Sequence, residues 1–322
     1  MRADATAVEG LGFPESLRWR DGALWFSDMF RGRVVRWVPG DDPEVMLSVA
    51  DGGPDVPGGL GWLPDGALLV VDCEGRRVIR VDDGGLTVHA ELARLFSHPA
   101  NDMHVDPDGV SWVGGYGFDP DVDPPRPSQL ARVAADGSAV GWGDPLVFPN
   151  GCERRADGRL VVAETFADRV STLDPRGRRV TQAQLPAGSG PDGLSLDALG
   201  RVHVALAFAG SIVRIDGAEV MELWRAEPVT EGPGSGPRGC YDCAVSPDGS
   251  RLAVAIASLD EGLAARIDTG AVILVPLDAA GEPAAFQKHA QSVIDGSAEA
   301  GEVGPACFSP ATDHSRPDEG RP

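Results

Sequence analysis

Six near-copies of one short phrase recur along the 322 residues of this chain, and their spacing constrains the fold more than any other feature. They occupy residues 15–22 (ESLRWRDG), 59–66 (GLGWLPDG), 102–109 (DMHVDPDG), 151–158 (GCERRADG), 193–200 (GLSLDALG) and 242–249 (DCAVSPDG). Each reads as a strand closed by a turn, and each is followed by a second apolar run, at 23–26, 67–71, 110–113, 159–163, 201–205 and 251–255. The turn glycines Gly22, Gly66, Gly109, Gly158, Gly200 and Gly249 are 42 to 49 residues apart. A period in the forties with strand–turn–strand content is the signature of propeller blades. A single four-stranded blade cannot bury its own faces, whereas a closed ring buries all of them and leaves only short edges. Six copies predict an all-β fold, a six-bladed β-propeller with four antiparallel strands per blade.

The third and fourth strands of the blades are more variable. In blade I they are expected at 33–37 and 45–49, in blade II at 77–81 and 86–89, and in blade VI at 271–275 and 284–287. Gly 42 and Pro 27 of 322 fit many tight turns, and no long helical periodicity competes. The repeats leave no room for a second core, so residues 1–290 are read as the propeller. Residues 291–322 turn polar and small and are expected to form a poorly ordered tail.

A net charge of −21 argues against nucleic acid or an anionic membrane as partner, because both need positive surface. No stretch approaches the roughly 20 apolar residues of a membrane span, and the first residues lack an apolar signal core. A cytoplasmic protein is the expectation. Cys73, Cys152, Cys240, Cys243 and Cys307 form an odd, irregular set that does not suggest a disulfide framework. Cys240 and Cys243 have CxxC spacing without a second pair, and buried packing is favoured for them over zinc or redox chemistry.

Residues just before the first strand of each blade should crowd together at one mouth of the channel. Glu15, Asp102 and Asp242 stand seven residues before their turn glycine, and Asn101, Asn150 and Asp192 stand eight before. Pro-Asn-Gly and Pro-Asp-Gly are also ordinary turn formers, so each polar residue taken singly has a turn reading. Glutamate is a poor turn residue, which makes Glu15 the most pointed of the set. Carboxylates and amides facing one point make a hard-oxygen site of the kind calcium accepts. Zinc would prefer histidine or cysteine, which these positions lack. The acidic stretch 119–125 lacks the glycine and closing glutamate of an EF-hand and reads as a surface loop. The glycine-rich stretch 231–239 is no phosphate loop. Both insertions, 116–128 and 231–239, are candidates to cover the mouth.

As an ordered set, Phe13-Pro-Glu-Ser16, Trp25-Phe-Ser-Asp28, Asn101-Asp102, Phe148-Pro-Asn-Gly151, Ala163-Glu-Thr-Phe166 and Pro191-Asp-Gly-Leu194 resemble the senescence-marker-protein/gluconolactonase/luciferin-regenerating-enzyme family over residues 8 to 290. The resemblance implies a six-bladed propeller with a divalent metal on its axis, usually calcium, with zinc, manganese or magnesium as the other options. It implies that Glu15, Asn150 and Asp192 ligate that metal, that Asn101 contacts metal or substrate, and that the activity is hydrolysis of a lactone or related ester. Some sugar-lactonase members carry an arginine where this chain has Pro99, which puts a sugar-acid lactone in doubt; His98 is the nearby candidate for a substitute contact, a solvated loop histidine being the other reading.

The mechanism this reading suggests is attack of a metal-activated water on the carbonyl of a small cyclic ester. Asp192 is the candidate general base, Asn101 and Asp102 orient substrate, and Glu164 is a lesser candidate at the rim. No serine triad is apparent. The same scaffold could instead host organophosphate hydrolysis or a natural-product biosynthetic step, or be a non-catalytic ligand-binding propeller with structural calcium. The sequence leaves the oligomeric state open.

Overall fold

The computed structural model of the protein describes residues 7–278 and 280–283. Six separate four-stranded antiparallel sheets are arranged as the blades of a β-propeller. Their innermost strands are Pro14–Arg20, Pro57–Trp62, Ala100–Val105, Pro149–Arg154, Pro191–Leu196 and Arg238–Val245. Each touches the next in sequence, and the sixth touches the first, so the ring closes.

Blade VI departs from the sequence reading. Its third strand is Gly270–Pro276, as expected, but its fourth position is taken by the chain's N-terminal strand, Ala7–Leu11. Val8 pairs with Val272 in antiparallel register. The segment 284–287, expected as that fourth strand, lies outside the described residues, as does the tail. The N-terminal strand ties the start of the chain to its last blade and joins the two ends of the ring by backbone hydrogen bonds.

Apolar faces meet between neighbouring blades. Val34, Leu47, Leu60 and Val70 fill the space between blades I and II, and Val161, Val170, Leu194 and Val204 that between IV and V. Leu17, Phe26, Val272 and Leu274 seal blade I against blade VI. Burial of this kind, at about 25 cal/mol per Å² of apolar surface, is the main force holding the ring closed.

The outer hairpins explain an offset in the repeat. In blade I the turn has two residues, with Asp21 at φ 50° and Gly22 at φ 76°, and Arg20 pairs with Ala23. This is the primed turn that Asp-Gly favours. Blade II turns over one more residue: Leu63 accepts from Gly66 and donates to the carbonyl of Ala67. A residue seven before the glycine in blade I is therefore equivalent to one eight before it elsewhere, and Glu15 belongs with Asn101, Asn150 and Asp192.

Candidate metal and substrate site on the propeller axis

The inner strands share one irregularity. The register with the second strand breaks between Pro57 and Leu60, Ala100 and Met103, Pro149 and Cys152, and Pro191 and Leu194, and likewise after Glu15. Asn150-Gly151 and Asp192-Gly193 are thus bulges inside strands, not turns. A bulge leaves its residues unpaired and re-aims their side chains. The glycines serve close approach here: a Cβ on Gly151 would lie 2.7 Å from the carbonyl oxygen of Asp192, and one on Gly59 would overlap the backbone nitrogen of Met103.

The first bulge position forms a ring of Glu15, Gly58, Asn101, Asn150, Asp192 and, by the same count, Tyr241. The second forms a ring of Ser16, Gly59, Asp102, Gly151, Gly193 and Asp242. Glu15, Asn101, Asn150 and Asp192 are all buried. Three of them, Glu15, Asn101 and Asn150, line one cavity of about 260 Å³, whereas Asp192 is not part of its wall. His98 and Pro99 stand in the same wall, with His98 Nδ1 2.9 Å from the Ser97 hydroxyl.

Asp102 belongs to the second ring and its carboxylate is already engaged. Arg18 donates to both of its oxygens at 2.8 and 3.0 Å, and the Ser16 hydroxyl adds a bond of 3.0 Å. Arg18 also lies 3.5 Å from Asp242, whose carboxylate accepts from the backbone N–H groups of Leu17 and Cys243. Arg18 and these two aspartates form an ionic floor beneath the first ring. Glu164 is likewise fully engaged. Its carboxylate accepts from the backbone N–H of Val147, from Arg169, from the Ser171 hydroxyl and from Arg179. Burial raises its pKa, but these donors outweigh burial and hold it below the usual glutamate value. Cys240 and Cys243 are buried free thiols of the inner strand of blade VI.

The first ring has the opposite character. Asn150 donates from Nδ2 to the Thr165 hydroxyl at 3.3 Å, which leaves its buried Oδ1 without a partner among the described residues. Asp192 Oδ1 is also buried and unpartnered, and Glu15 has no hydrogen bond or ion pair among the described residues. Burial, then the like charges of Asp192, Asp102, Asp242 and Glu261, raise the Glu15 pKa well above the usual carboxylate range. Burial, then Asp242, Asp102 and Glu261, do the same to Asp192. Two carboxylates and an amide oxygen left without cation or donor fit a hard divalent ion, which would supply the missing charge and accept those oxygens. Among the described residues no group of three or more His, Cys, Asp or Glu is placed to hold a metal, so any axial site must draw on the amides.

Part of the wall was not foreseen. Helix α1, Glu261–Arg266, is inserted between the second and third strands of blade VI, and it brings Glu261 to the cavity. Its sequence signal was Asp260, whose side chain caps the helix by accepting from Leu263 N–H at 2.9 Å. The insertion at 116–128 does reach the cavity, through Tyr116, Phe118, Asp119 and Pro120. The glycine-rich 231–239 stretch does not. It folds on itself through a bridge between Val229 and Gly236, and α1 takes the place expected for it. No helix among the described residues is long and apolar enough to cross a membrane.

Comparison with known proteins agrees with this architecture. Residues 13–228 match the family model described as the SMP-30/Gluconolactonase/LRE-like region. Regucalcin of Xenopus laevis is 25% identical over 233 residues, which cover 67% of this chain and 75% of that protein. A luciferin-regenerating enzyme superposes with a TM-score of 0.66 at 16% identity, covering 83% of this chain and 92% of the other. A calcium-binding protein, regucalcin, from Agrobacterium tumefaciens superposes with a TM-score of 0.60 at 20% identity, covering 77% and 83%. With six blades in place and the family match spanning more than half of the chain, this protein belongs to the SMP-30/gluconolactonase/LRE-like family.

Proposed function

We propose that the protein is a divalent-metal-dependent hydrolase of a small lactone or related ester, acting in the cytoplasm. The observation that carries this reading is the pair of orphaned oxygens, Asn150 Oδ1 and Asp192 Oδ1, together with the unpaired carboxylate of Glu15, which with Asn150 lines the cavity. Family membership supports lactonase-type chemistry, and the calcium-binding relative supports calcium as the ion.

Glu15, Asn150 and Asp192 would hold the cation. When bound, it supplies a Lewis acid that polarises the ester carbonyl and lowers the pKa of water. The chain's residues do the rest. Asn101, on the cavity wall, orients the carbonyl. Asp192 takes the proton of the attacking water on its spare oxygen. The acyl carbon–oxygen bond then breaks, and one water has been added to give a carboxylate, an alcohol and one proton. Phe13, Phe30, Tyr116 and Phe118 shield the reacting carbonyl from bulk water.

The test is a panel of lactones and esters offered to chelator-treated protein with and without calcium, zinc, manganese or magnesium. The proposal expects turnover that is absent after chelation, restored by at least one of these ions, and lost in Asp192→Asn at saturating metal. A wild type that hydrolyses nothing in the panel with any of the ions overturns it in favour of a binding propeller.

A further inference from the structure

The cavity wall carries four carboxylates, Glu15, Glu74, Asp119 and Glu261, and neither a lysine nor an arginine. A divalent ion held by Glu15 and Asp192 would balance those two charges, and Arg18 is already committed to Asp102 and Asp242. Glu261 remains. It is 8% exposed and has no hydrogen bond or ion pair among the described residues, although it faces a cavity. Burial, then the charges of Asp121 and Asp260, raise its pKa well above the usual range. A buried carboxyl of this kind is costly unless something positive pairs with it.

Four aromatic side chains, Phe13, Phe30, Tyr116 and Phe118, share the wall with smaller apolar groups such as Met29 and Val56. Phe13 packs on Phe30 with ring centroids 4.7 Å apart, Tyr116 and Phe118 come from blade III, and both of these pack on Phe148. Ring faces beside a carboxylate are the chemistry that recognises ammonium and quaternary ammonium groups. Against these carboxylates the wall sets one basic side chain, His98, and Pro99 adds none.

Taking the hydrolase reading as its basis, we infer that the substrate carries a positive charge: a lactone or ester bearing an ammonium group, seated between Glu261 and the faces of Phe13, Phe30, Tyr116 and Phe118. Neutral substrates are second best and anionic ones are excluded.

Two probe sets separate this inference from the hydrolase reading. The first is a pair of non-hydrolysable cyclic ethers, 3-trimethylammonio-tetrahydrofuran and its neutral 3-tert-butyl isostere, titrated into calcium-loaded protein by calorimetry. The cationic ether should bind roughly tenfold more tightly or better. Glu261→Gln should remove most of that preference and Asp119→Asn a smaller part, with wild-type-like melting showing that both variants fold. The second set is γ-butyrolactone carrying a trimethylammonium, tert-butyl or sulfonate group, read as kcat/KM ratios in that expected order. Selective binding of the cationic ether without lactone turnover would sustain the inference and sink the hydrolase reading. Turnover with equal ratios would do the reverse. Equal ether affinities, a preference that survives both substitutions, or a second equivalent of calcium that Glu261→Gln removes would each overturn the inference.

Discussion

Arg18→Met is the perturbation whose cost the structure states most directly. The guanidinium of Arg18 donates 2.8 and 3.0 Å bonds to the two oxygens of Asp102 and 2.8 Å to the carbonyl of Met103, and it lies 3.5 Å from Asp242. The aspartate side chains are 5% and 2% exposed, and that of Arg18 is 20% exposed. Methionine keeps the apolar stem but leaves Asp102 with a single hydroxyl partner and Asp242 with two backbone donors. Removing one partner of a buried pair costs about 3–5 kcal/mol, and partial exposure of Arg18 places this case near 3. For a chain of 322 residues the melting midpoint should fall by about 4–5 °C. Urea denaturation of Arg18→Met, Asp102→Leu and the double variant measures the cost. Because the pair is coupled, the double variant should recover at least half of the Arg18→Met loss. A single-variant loss below about 1 kcal/mol, or strictly additive losses, would refute the ionic floor and return Asp102 to the role of a substrate contact.

Other consequences can be checked more briefly. His203 is buried with neither ring nitrogen hydrogen-bonded among the described residues, and burial pushes its pKa down to about 4. Between pH 6.5 and 4 the unfolded chain therefore binds a proton that the folded protein refuses, so stability is lost as pH falls through that window. His203→Leu should flatten this limb by up to about 3 kcal/mol relative to wild type, and identical pH–stability curves would count against it. Gly59→Ala forces a methyl onto the backbone of Met103, and it should lower stability by about 2 kcal/mol or more. Unchanged melting would mean that the inner strands are not so closely apposed.

The six blades were legible because the turn glycines, five of them after aspartate, mark them at nearly constant spacing, and because the alternating apolar runs need neighbours on both faces. Ring closure was not. The N-terminal strand that completes blade VI carries no copy of the repeat phrase, so only its pairing with Gly270–Pro276 identifies it. The polar residues of the first ring could be read from the repeat alignment. Their level could not, because the blade I turn is one residue shorter and Glu15 falls in the wrong column unless the hairpin geometry is known. The partners of Asp102 and Glu164 were hidden for a related reason: Arg18 stands 84 residues from Asp102 in sequence, and Arg169 and Arg179, the partners of Glu164, lie on the third and fourth strands of its blade. Glu261 went unseen because it sits in an insertion with no counterpart in other blades, which repeat alignment passes over.

Calorimetric titration of calcium into chelator-treated protein tests the axial site most directly. One equivalent should bind to the wild type, binding should be at least tenfold weaker in Glu15→Gln and in Asp192→Asn, and the melting temperature should rise with calcium only where binding survives. Full-affinity binding in both variants, or no divalent ion bound by the wild type, would rule out the axial site.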